Sequence, residues 1–232
     1  MSFETIWIKR GIKMYRKEIV EHIKLSGIIA IVRLFDSTDL FSVINAIADG
    51  GVNVIEVTSN TPNWKDAVEE YRNHPDIIIG VGTIRNEELA SEAINCGAQY
   101  LVSPNTEKGI ARISNASQTP FIMGAYSPTE IHRAHSYGAD MIKLFPANFI
   151  EPNYLKAVRA TLRDAHFVPT GGINLNNCKE WFEVGASAIG LGGSLVNQDD
   201  LKTKQFSSIT SRAKKIVNKV THIKSDLTHL NK

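Results

Sequence analysis

The sequence lacks the features that would assign it to a membrane, to secretion or to a nucleic-acid complex. None of its apolar runs reaches the length of about 20 residues that a membrane-spanning helix needs. Its two cysteines, Cys96 and Cys178, show no metal or redox spacing, and residues 1–13 contain no secretory signal. The 26 basic and 24 acidic side chains nearly balance and are mostly interspersed. These absences predict a reduced, cytoplasmic protein that binds neither a membrane nor nucleic acid.

Motifs for metal-dependent, hydrolytic and dinucleotide chemistry are also missing. The close histidine pair, His132 and His135, has three-residue spacing on a predicted helix, which favours a solvated face over a metal site. No nucleophile elbow supports serine hydrolysis. No Gly-x-Gly-x-x-Gly loop follows the first predicted strand. The sequence therefore predicts neither a metal nor another cofactor.

What the sequence does contain is a repeated alternation of short apolar strands with helical segments. The eight predicted strands are Gly27–Arg33, Val52–Thr58, Ile77–Thr83, Tyr100–Ser103, Pro120–Met123, Asp140–Phe145, Phe167–Thr170 and Ala188–Leu191. Eight such units with short connections predict an α/β fold in which a parallel sheet closes as a (βα)8 barrel of the TIM type. The alternative is an open doubly wound sheet, which the missing nucleotide loop disfavours.

The pattern also predicts how the chain is divided. Residues 1–13 have little periodicity and are predicted as an N-terminal extension. Residues 14–220 are predicted as a single barrel domain in which a helix beginning near Met14 precedes the first strand. The last helix is predicted over Ser207–Val220, and residues 221–232 are predicted as a basic tail.

Lys143 is the side chain on which the functional prediction depends. It lies near the end of the sixth strand, where alternation puts it on the same face as Met141 and opposite Ile142 and Leu144. Apolar surroundings lower the affinity of a lysine for its proton, and a neutral amine can form a Schiff base with a ketone. The alternative is a strand-end lysine that merely reaches solvent.

The other strand ends carry polar residues that a barrel would bring together. In a (βα)8 barrel the carboxyl ends of all strands converge on one mouth. The polar residues predicted there are Arg33, Glu56, Thr83, Ser103, Lys143 and Thr170. Alternation is compatible with inward-pointing Arg33 and Glu56. A buried glutamate is often a structural ion-pair partner, but beside a reactive lysine Glu56 would be a proton shuttle.

Glycine pairs follow the last two strands. They are Gly171-Gly172 and Gly192-Gly193, the second followed by Ser194. Glycines let backbone N–H groups approach an anion, and barrels commonly bind phosphate at these two loops. Either pair alone is a weak signal and is usually just a tight turn. Their occurrence in consecutive units predicts a phosphate site.

These residues belong to a set of motifs that resembles the bacterial KDPG/KHG aldolase family. The motifs are Glu56-Val57-Thr58, Gly80-Val81-Gly82-Thr83, Val102-Ser103-Pro104, Ser127-Pro128-Thr129-Glu130, Ile142-Lys143-Leu144-Phe145-Pro146-Ala147, Pro169-Thr170-Gly171-Gly172-Ile173 and Gly192-Gly193-Ser194. They occur in order between Lys17 and Val196. The resemblance implies a class I, metal-independent lyase built as a (βα)8 barrel and assembled as a homotrimer. It also implies a substrate, either 2-keto-3-deoxy-6-phosphogluconate (KDPG) or 4-hydroxy-2-oxoglutarate (KHG), that is cleaved to pyruvate and an aldehyde.

The resemblance implies a role for each matching position. Lys143 becomes the Schiff-base lysine, Glu56 the general acid and base, and Thr83 a contact for the pyruvyl part of the substrate. Thr170 joins the substrate-binding residues. The distal phosphate is assigned to the glycine loops, with residues Gly171, Gly172, Gly192, Gly193 and Ser194.

Several positions depart from the family pattern. Asn60 stands where many members carry a carboxylate-binding arginine, so the carboxylate is assigned to Arg33, with Asn60 as a further substrate contact. Met123 stands where proline is usual, and Tyr126 where a smaller residue is usual. The departures leave the substrate open among KDPG, its 6-phosphogalactonate epimer and KHG. A non-catalytic sugar-phosphate-binding barrel is the alternative from another class, and the retention of both Glu56 and Lys143 argues against it.

Overall fold

A computed structural model describes residues 14–230 of the protein. The predicted extension at residues 1–13 lies outside the described residues.

Short apolar segments form the strands of a single parallel sheet. The strands are β1 (Ile28–Val32), β2 (Val54–Thr58), β3 (Ile78–Gly82), β4 (Leu101–Val102), β5 (Phe121–Ala125), β6 (Met141–Leu144), β7 (Phe167–Pro169) and β8 (Ile189–Leu191). Each strand from β1 to β6 pairs with the next, and β8 pairs with β1. The ring closes between β7 and β8 through a parallel bridge from Thr170 to Gly190 and a hydrogen bond from the Ala188 N–H to the Phe167 carbonyl. The predicted (βα)8 barrel is confirmed.

Amphipathic helices surround this barrel. They are α1 (Arg16–Ser26), α2 (Leu40–Asp49), α3 (Trp64–Tyr71), α4 (Glu87–Cys96), α5 (Lys108–Ser117), α6 (Pro128–Ser136), α7 (Pro152–Thr161), α8 (Cys178–Glu183), α9 (Gln198–Thr203) and α10 (Phe206–Leu230), with a short 3-10 turn at Ala147–Phe149. Within residues 14–230 no helix is long and apolar enough to cross a membrane. Both cysteines are free thiols.

Alternation along the strands divides the apolar side chains into two cores. Ile29, Ile31 and Met141 belong to the core inside the barrel. Ile142 and Leu144 belong to the core between the sheet and the helices. The alternation predicted for the Lys143 strand is therefore confirmed, and every second strand residue points toward the barrel axis.

Helix α1 closes the amino-terminal end of the barrel. Its buried residues Ile19, Val20 and Ile23 pack into the interior core. At the start of the helix, an Arg16 guanidinium nitrogen lies 2.8 Å from a carboxylate oxygen of Asp140, next to β6. Because side chains fill the amino end, the interior of the described barrel opens toward the carboxyl ends of the strands.

Helix α10 is longer than the sequence predicted. The prediction ended it at Val220, whereas the helix continues to Leu230, so residues 221–230, predicted as part of a basic tail, are helical. The apolar stripe continues through buried Ile223 and partly buried Leu227, and the intervening polar residues obscured it in the sequence.

Candidate active site

Two ionisable side chains meet inside the mouth of the barrel. The Lys143 ammonium nitrogen lies 3.5 Å from Oε1 of Glu56. Their side chains are 7% and 2% exposed, so bulk water is largely excluded from the pair. The Lys143 nitrogen also lies 5.5 Å from the centroid of the Phe145 ring. A buried amine beside a carboxylate can form a Schiff base with a ketone while the carboxylate transfers protons.

Strand β6 positions Lys143 opposite a residue without a side chain. Lys143 is level with Gly124 on β5 and with Val168 on β7. A Cβ atom on Gly124 would lie 2.3 Å from the backbone carbon of Pro104, so glycine is required where the loop after β4 crosses this strand. Strand β5 runs on to Ala125, two residues past the predicted end at Met123. The extra residues place Gly124 within the sheet.

Strand β2 positions Glu56 over a second glycine. Glu56 is level with Ile31 on β1 and Gly80 on β3. Its carboxylate extends over Gly82, where a Cβ atom would lie 1.8 Å from Oε1. The carboxylate therefore occupies the volume that any other residue at position 82 would fill.

A buried tyrosine that the sequence did not single out lies under this pair. Tyr100 is 0% exposed, and its ring crosses Gly80, where a Cβ atom would lie 2.4 Å from the ring. Its hydroxyl has no hydrogen-bond partner among residues 14–230. Burial, and secondarily the charge of Glu56, raises the pKa of the Tyr100 phenol well above its ordinary value. The available signal was the Gly80-Val81-Gly82 pattern, which leaves two successive inward positions of one strand bare.

Within residues 14–230, the residues predicted to contact the carboxylate and the pyruvyl part form no hydrogen bond or ion pair with Lys143 or Glu56. Arg33 and Asn60 are exposed, and neither side chain forms a hydrogen bond or ion pair with other residues of the described chain. Thr83 is half-buried and adopts a left-handed backbone conformation with φ of 59°. Its carbonyl accepts a 3.0 Å hydrogen bond from the Ser59 hydroxyl. The structure thus brings Lys143 and Glu56 together and leaves the other three at the rim.

The loop after β7 is bent by glycines in the left-handed region. Gly171 and Gly172 have φ values of 103° and 71°. The side chain of Asn148 packs against both, since a Cβ atom on Gly172 would lie 2.7 Å from the Cβ of Asn148. Asn148 was not predicted from the sequence, because the 3-10 turn that carries it follows a different strand, β6. Within the described chain, the two glycine N–H groups donate no hydrogen bond.

The loop after β8 is open. A Cβ atom on Gly192 or Gly193 would meet nothing within 4 Å. Gly193 and Ser194 are exposed, and across residues 14–230 their N–H groups find no acceptor. Unused donors on two adjacent loops are the arrangement that binds an oxyanion.

Thr170, between β7 and its glycine loop, faces the interior. It is buried, and its hydroxyl donates to the Val168 carbonyl at 3.3 Å. A Cβ atom on Gly190 would lie 2.3 Å from Thr170 Oγ1, so the side chain fills the space above that glycine. Thr170 thereby helps to close the barrel between β7 and β8.

Two departures from the family pattern are directed away from the Lys143–Glu56 pair. Met123 is buried in the outer core, between the sheet and the helices. The Tyr126 ring stacks on Tyr154 of α7 with centroids 6.3 Å apart, and the Tyr154 hydroxyl donates to the Tyr126 carbonyl.

The histidine pair lies on α6, outside the barrel. His135 is 3.2 Å from the Asp164 carboxylate, and the His132 carbonyl accepts a hydrogen bond from Ser136. Among residues 14–230, no group of three histidine, cysteine or acidic side chains is arranged to hold a metal ion.

Comparison with known proteins identifies the relatives of this chain. A model of the family described as KDPG and KHG aldolase matches residues 19–212. The 2-dehydro-3-deoxy-phosphogluconate aldolase of Treponema pallidum is 31% identical over 197 residues, covering 84% of this chain and 92% of the relative. The 2-dehydro-3-deoxy-6-phosphogalactonate aldolase of Escherichia coli K12 is 28% identical over 173 residues, covering 72% of this chain and 83% of the relative.

A similar solved structure is that of KDPG aldolase from Legionella pneumophila, with pyruvate captured as a covalent carbinolamine intermediate. It superposes with a TM-score of 0.78 at 27% sequence identity, and the match covers 88% of this chain and 98% of that one.

Proposed function

The chain belongs to the KDPG and KHG aldolase family of Schiff-base lyases, and from that premise we propose that it reversibly cleaves KDPG to pyruvate and glyceraldehyde 3-phosphate. As a member of the family it is a carbon–carbon lyase. The proposal rests on one observation above all, the buried Lys143–Glu56 pair with 3.5 Å between nitrogen and oxygen. An amine and a carboxylate at that distance meet the requirement of a retro-aldol reaction, which combines an electron sink with a mobile proton.

Lys143 supplies the electron sink. Its neutral amine adds to the C2 ketone of the substrate, and loss of water from the carbinolamine gives a protonated Schiff base. When the C3–C4 bond breaks, its electron pair moves into the iminium and forms an enamine. The aldehyde is then released. Protonation of the enamine at its terminal carbon and hydrolysis of the Schiff base release pyruvate and restore the lysine.

Glu56 moves the protons in this sequence. Its carboxylate takes the proton from the C4 hydroxyl as the bond breaks, and returns a proton to the terminal carbon of the enamine, directly or through one water molecule. Because the lysine side chain is 7% and the glutamate side chain 2% exposed, the proton is proposed to pass through the carboxylate rather than directly to bulk water.

The ends of the substrate are assigned to the rim. Arg33, an exposed cation just beyond β1, is proposed to bind the carboxylate, with Asn60 beside it and Thr83 against the pyruvyl part. Thr170 is proposed to shape the floor of the site from its buried position.

The distal phosphate is proposed to lie between the two glycine loops. The amides of Gly171, Gly172, Gly193 and Ser194 supply donors, and the open space above Gly192 and Gly193 supplies the room.

The 6-phosphogalactonate epimer is the second candidate substrate, and KHG the third. The epimer is favoured by the 28% identity to the E. coli 2-dehydro-3-deoxy-6-phosphogalactonate aldolase. Parallel measurements of kcat/KM on the three compounds distinguish them. A barrel that only binds sugar phosphates would turn over none of them.

Reductive trapping tests the covalent step. Borohydride added with pyruvate should inactivate the enzyme irreversibly and add one pyruvyl-derived mass to the peptide containing Lys143, because an iminium is reducible. Lys143→Arg should abolish both effects. Lys24→Arg is the matched control, since Lys24 lies on α1 at the opposite end of the barrel, and it should be trapped like the wild type. Labelling of a different lysine would remove Lys143 from the mechanism.

Assembly, compartment and domain organisation are also proposals. We propose a homotrimer, for which light scattering should give three times the chain mass of 25.7 kDa. A cytoplasmic location is supported by the two free thiols, and cell fractionation tests it. A single domain, comprising the barrel and its helices, should unfold in one transition when followed by circular dichroism and by tryptophan fluorescence.

A further inference from the structure

Tyr100 has a position inside the barrel that the proposed chemistry does not yet use. Glu56 is level with Gly80 in the pairing of β2 with β3. Tyr100, just before β4, is level with Gly80 on the other side, because its carbonyl accepts the Val81 N–H at 3.1 Å and the next residue, Leu101, pairs with Val81. Glu56, Gly80 and Tyr100 therefore form one row across three neighbouring strands.

Because Gly80, in the middle of this row, has no side chain, the side chains of Glu56 and Tyr100 can approach each other. A Cβ atom on Gly80 would lie 2.4–2.6 Å from three atoms of the Tyr100 ring, so the ring lies across β3 toward β2. The Glu56 carboxylate lies over Gly82, the next inward position of the same strand. The ring is thus one layer below the carboxylate and forms part of the floor of the site.

The Tyr100 hydroxyl is a buried donor without a partner. It has no hydrogen bond to any residue in 14–230, and Tyr100 as a whole is 0% exposed. Leaving such a group unsatisfied destabilises the fold, so buried polar atoms without a protein partner are normally bonded to an internal water. The nearby acceptor that such a bond would stabilise most is the Glu56 carboxylate, whose negative charge contributes to the raised pKa of the Tyr100 phenol.

We propose that Tyr100 is a positioning residue for Glu56, and that its hydroxyl, through one buried water, holds the carboxylate in the orientation needed for proton transfer to and from the substrate. This inference rests on the proposed aldolase function. The Glu56 carboxylate would then be held from two directions, by Lys143 from the side and by the Tyr100 hydroxyl, through the water, from below.

Few charged or titratable groups face Glu56 in the described barrel. Strand β6 contributes Lys143, and the segment before β4 contributes Tyr100. Strand β1 contributes apolar Ile31 and, at the rim, the exposed Arg33, while β3 contributes glycines. If substitution of Tyr100 changes the pH dependence of kcat, the change can therefore be attributed to the Glu56–Lys143 pair.

The test is Tyr100→Phe, which keeps the ring and removes only the hydroxyl. The rate of exchange of pyruvate methyl protons with solvent deuterium, and kcat for cleavage, should both fall about tenfold, the factor expected for one hydrogen bond to a charged group. KM should stay near the wild-type value, since the hydroxyl lies below the substrate. The acid limb of the pH–kcat profile should move to higher pH, because the carboxylate loses a donor that stabilises its charge.

A double-mutant cycle shows whether the effect passes through Glu56. In the Glu56→Gln background, Tyr100→Phe should cause no further loss of exchange. Tyr71→Phe is the matched control, because Tyr71 is also buried and donates to Asn45 Oδ1 at 2.7 Å, but on α3 outside the barrel. It should lower stability without moving the pH profile.

The outcomes separate this inference from the proposed function. Wild-type protein that exchanges no pyruvate protons overturns the aldolase function itself. If the wild type exchanges pyruvate protons and Tyr100→Phe leaves the pH dependence of kcat unchanged, only the proposed role of Tyr100 is overturned. A loss that is the same in the wild-type and Glu56→Gln backgrounds also overturns it, because the hydroxyl would then act on something other than Glu56.

Discussion

Glu56 keeps its place because a neighbouring side chain is missing. Its carboxylate occupies the volume where a Cβ atom of residue 82 would lie 1.8 Å from Oε1. No rotation of an alanine methyl group relieves such an overlap, so either the carboxylate or strand β3 must move. At the scale of a single residue, the proposed proton transfer by Glu56 therefore depends as much on Gly82 as on Glu56.

Gly82→Ala should reproduce the loss seen when the carboxylate itself is removed. We expect kcat for cleavage and the rate of pyruvate proton exchange to fall together, by about 10²–10⁴-fold, the usual contribution of a positioned acid or base. Glu56→Gln is the reference variant and should show the same pattern. Borohydride trapping of pyruvate at Lys143 should persist in both, which shows that the barrel is intact. A Gly82→Ala enzyme with wild-type kcat would contradict the geometry, whatever the result for Glu56→Gln.

Lys143 and Glu56 were predicted from the sequence as site residues, whereas Tyr100 was not. Both catalytic candidates lie in short apolar strands, where alternation determines the face to which each side chain points, and a barrel brings these strands together. Tyr100 is an ordinary apolar-strand tyrosine until Gly80 is known to lie beside it, and that neighbour depends on the register between β3 and β4. The outward direction of Met123 likewise follows only once β5 is known to continue to Ala125.

At the scale of elements, the proposed phosphate site lies at the carboxyl ends of β7 and β8. Each strand is three residues long, and Gly192 follows β8 directly whereas Thr170 separates β7 from Gly171. Within the part of the chain that the structure describes, the N–H groups of Gly171, Gly172, Gly193 and Ser194 have no hydrogen-bond acceptor. The donors come from the backbone, so they cannot be removed by shortening a side chain and must be tested by blocking the space.

Gly193→Asp places a side chain and a negative charge in that open space. KM for phosphorylated substrates should rise by about tenfold or more, since the loss of one charge-assisted contact has that effect. Trapping of pyruvate, which has no phosphate, should be unchanged. Ser211→Asp adds the same charge on exposed α10 and should leave KM as in the wild type. An equal loss for KHG and for phosphorylated substrates would show that the β8 loop does not bind phosphate.

Element boundaries were less predictable than element order. The eight strands alternate with helices as the apolar runs indicated, because each strand is covered on both faces. The end of α10 was misplaced because the polar and charged residues after Val220 resemble a solvated tail, whereas the helix lies against the barrel on one face only. Charge in the sequence gives the composition of a helix face but not the neighbour it packs against.

At the scale of the whole molecule, α10 joins the last part of the fold to the first. The Lys224 ammonium donates to the carbonyls of Lys24 and, at 3.1 Å, of Leu25, at the carboxyl end of α1. A cation there complements the partial negative charge of the helix end. Burial, and to a smaller extent the charge of Lys24, lowers the pKa of Lys224 below the ordinary lysine value of 10.5.

Lys224→Met should destabilise the fold in a pH-dependent way. It removes the donor for two helix-end carbonyls, so the free energy of unfolding should fall by about 1 kcal/mol. In the wild type the unfolded chain binds more protons at Lys224 than the folded chain does. Stability from this group therefore rises as the pH rises toward 10.5. The stability difference between wild type and variant should widen between neutral pH and that value.

Urea unfolding at both pH values measures this difference. Lys214→Met, at an exposed position of α10, should change stability by less than about 0.5 kcal/mol at either pH. A difference for Lys224→Met that narrows as the pH rises would contradict the assigned burial of its charge.

Three glycines inside the barrel also constrain how this sequence can evolve. Gly80, Gly82 and Gly190 each hold open the volume used by one larger side chain, respectively Tyr100, Glu56 and Thr170. The members of each pair are not independent under selection, since a larger residue at the glycine is tolerated only after its partner has become smaller. The substitution that shrinks the larger side chain must therefore come before the substitution of the glycine. A deep mutational scan should find strong epistasis within these pairs. Neither member of the Gly82–Glu56 pair is expected to change, because Glu56, which would have to become smaller first, is the proposed base itself.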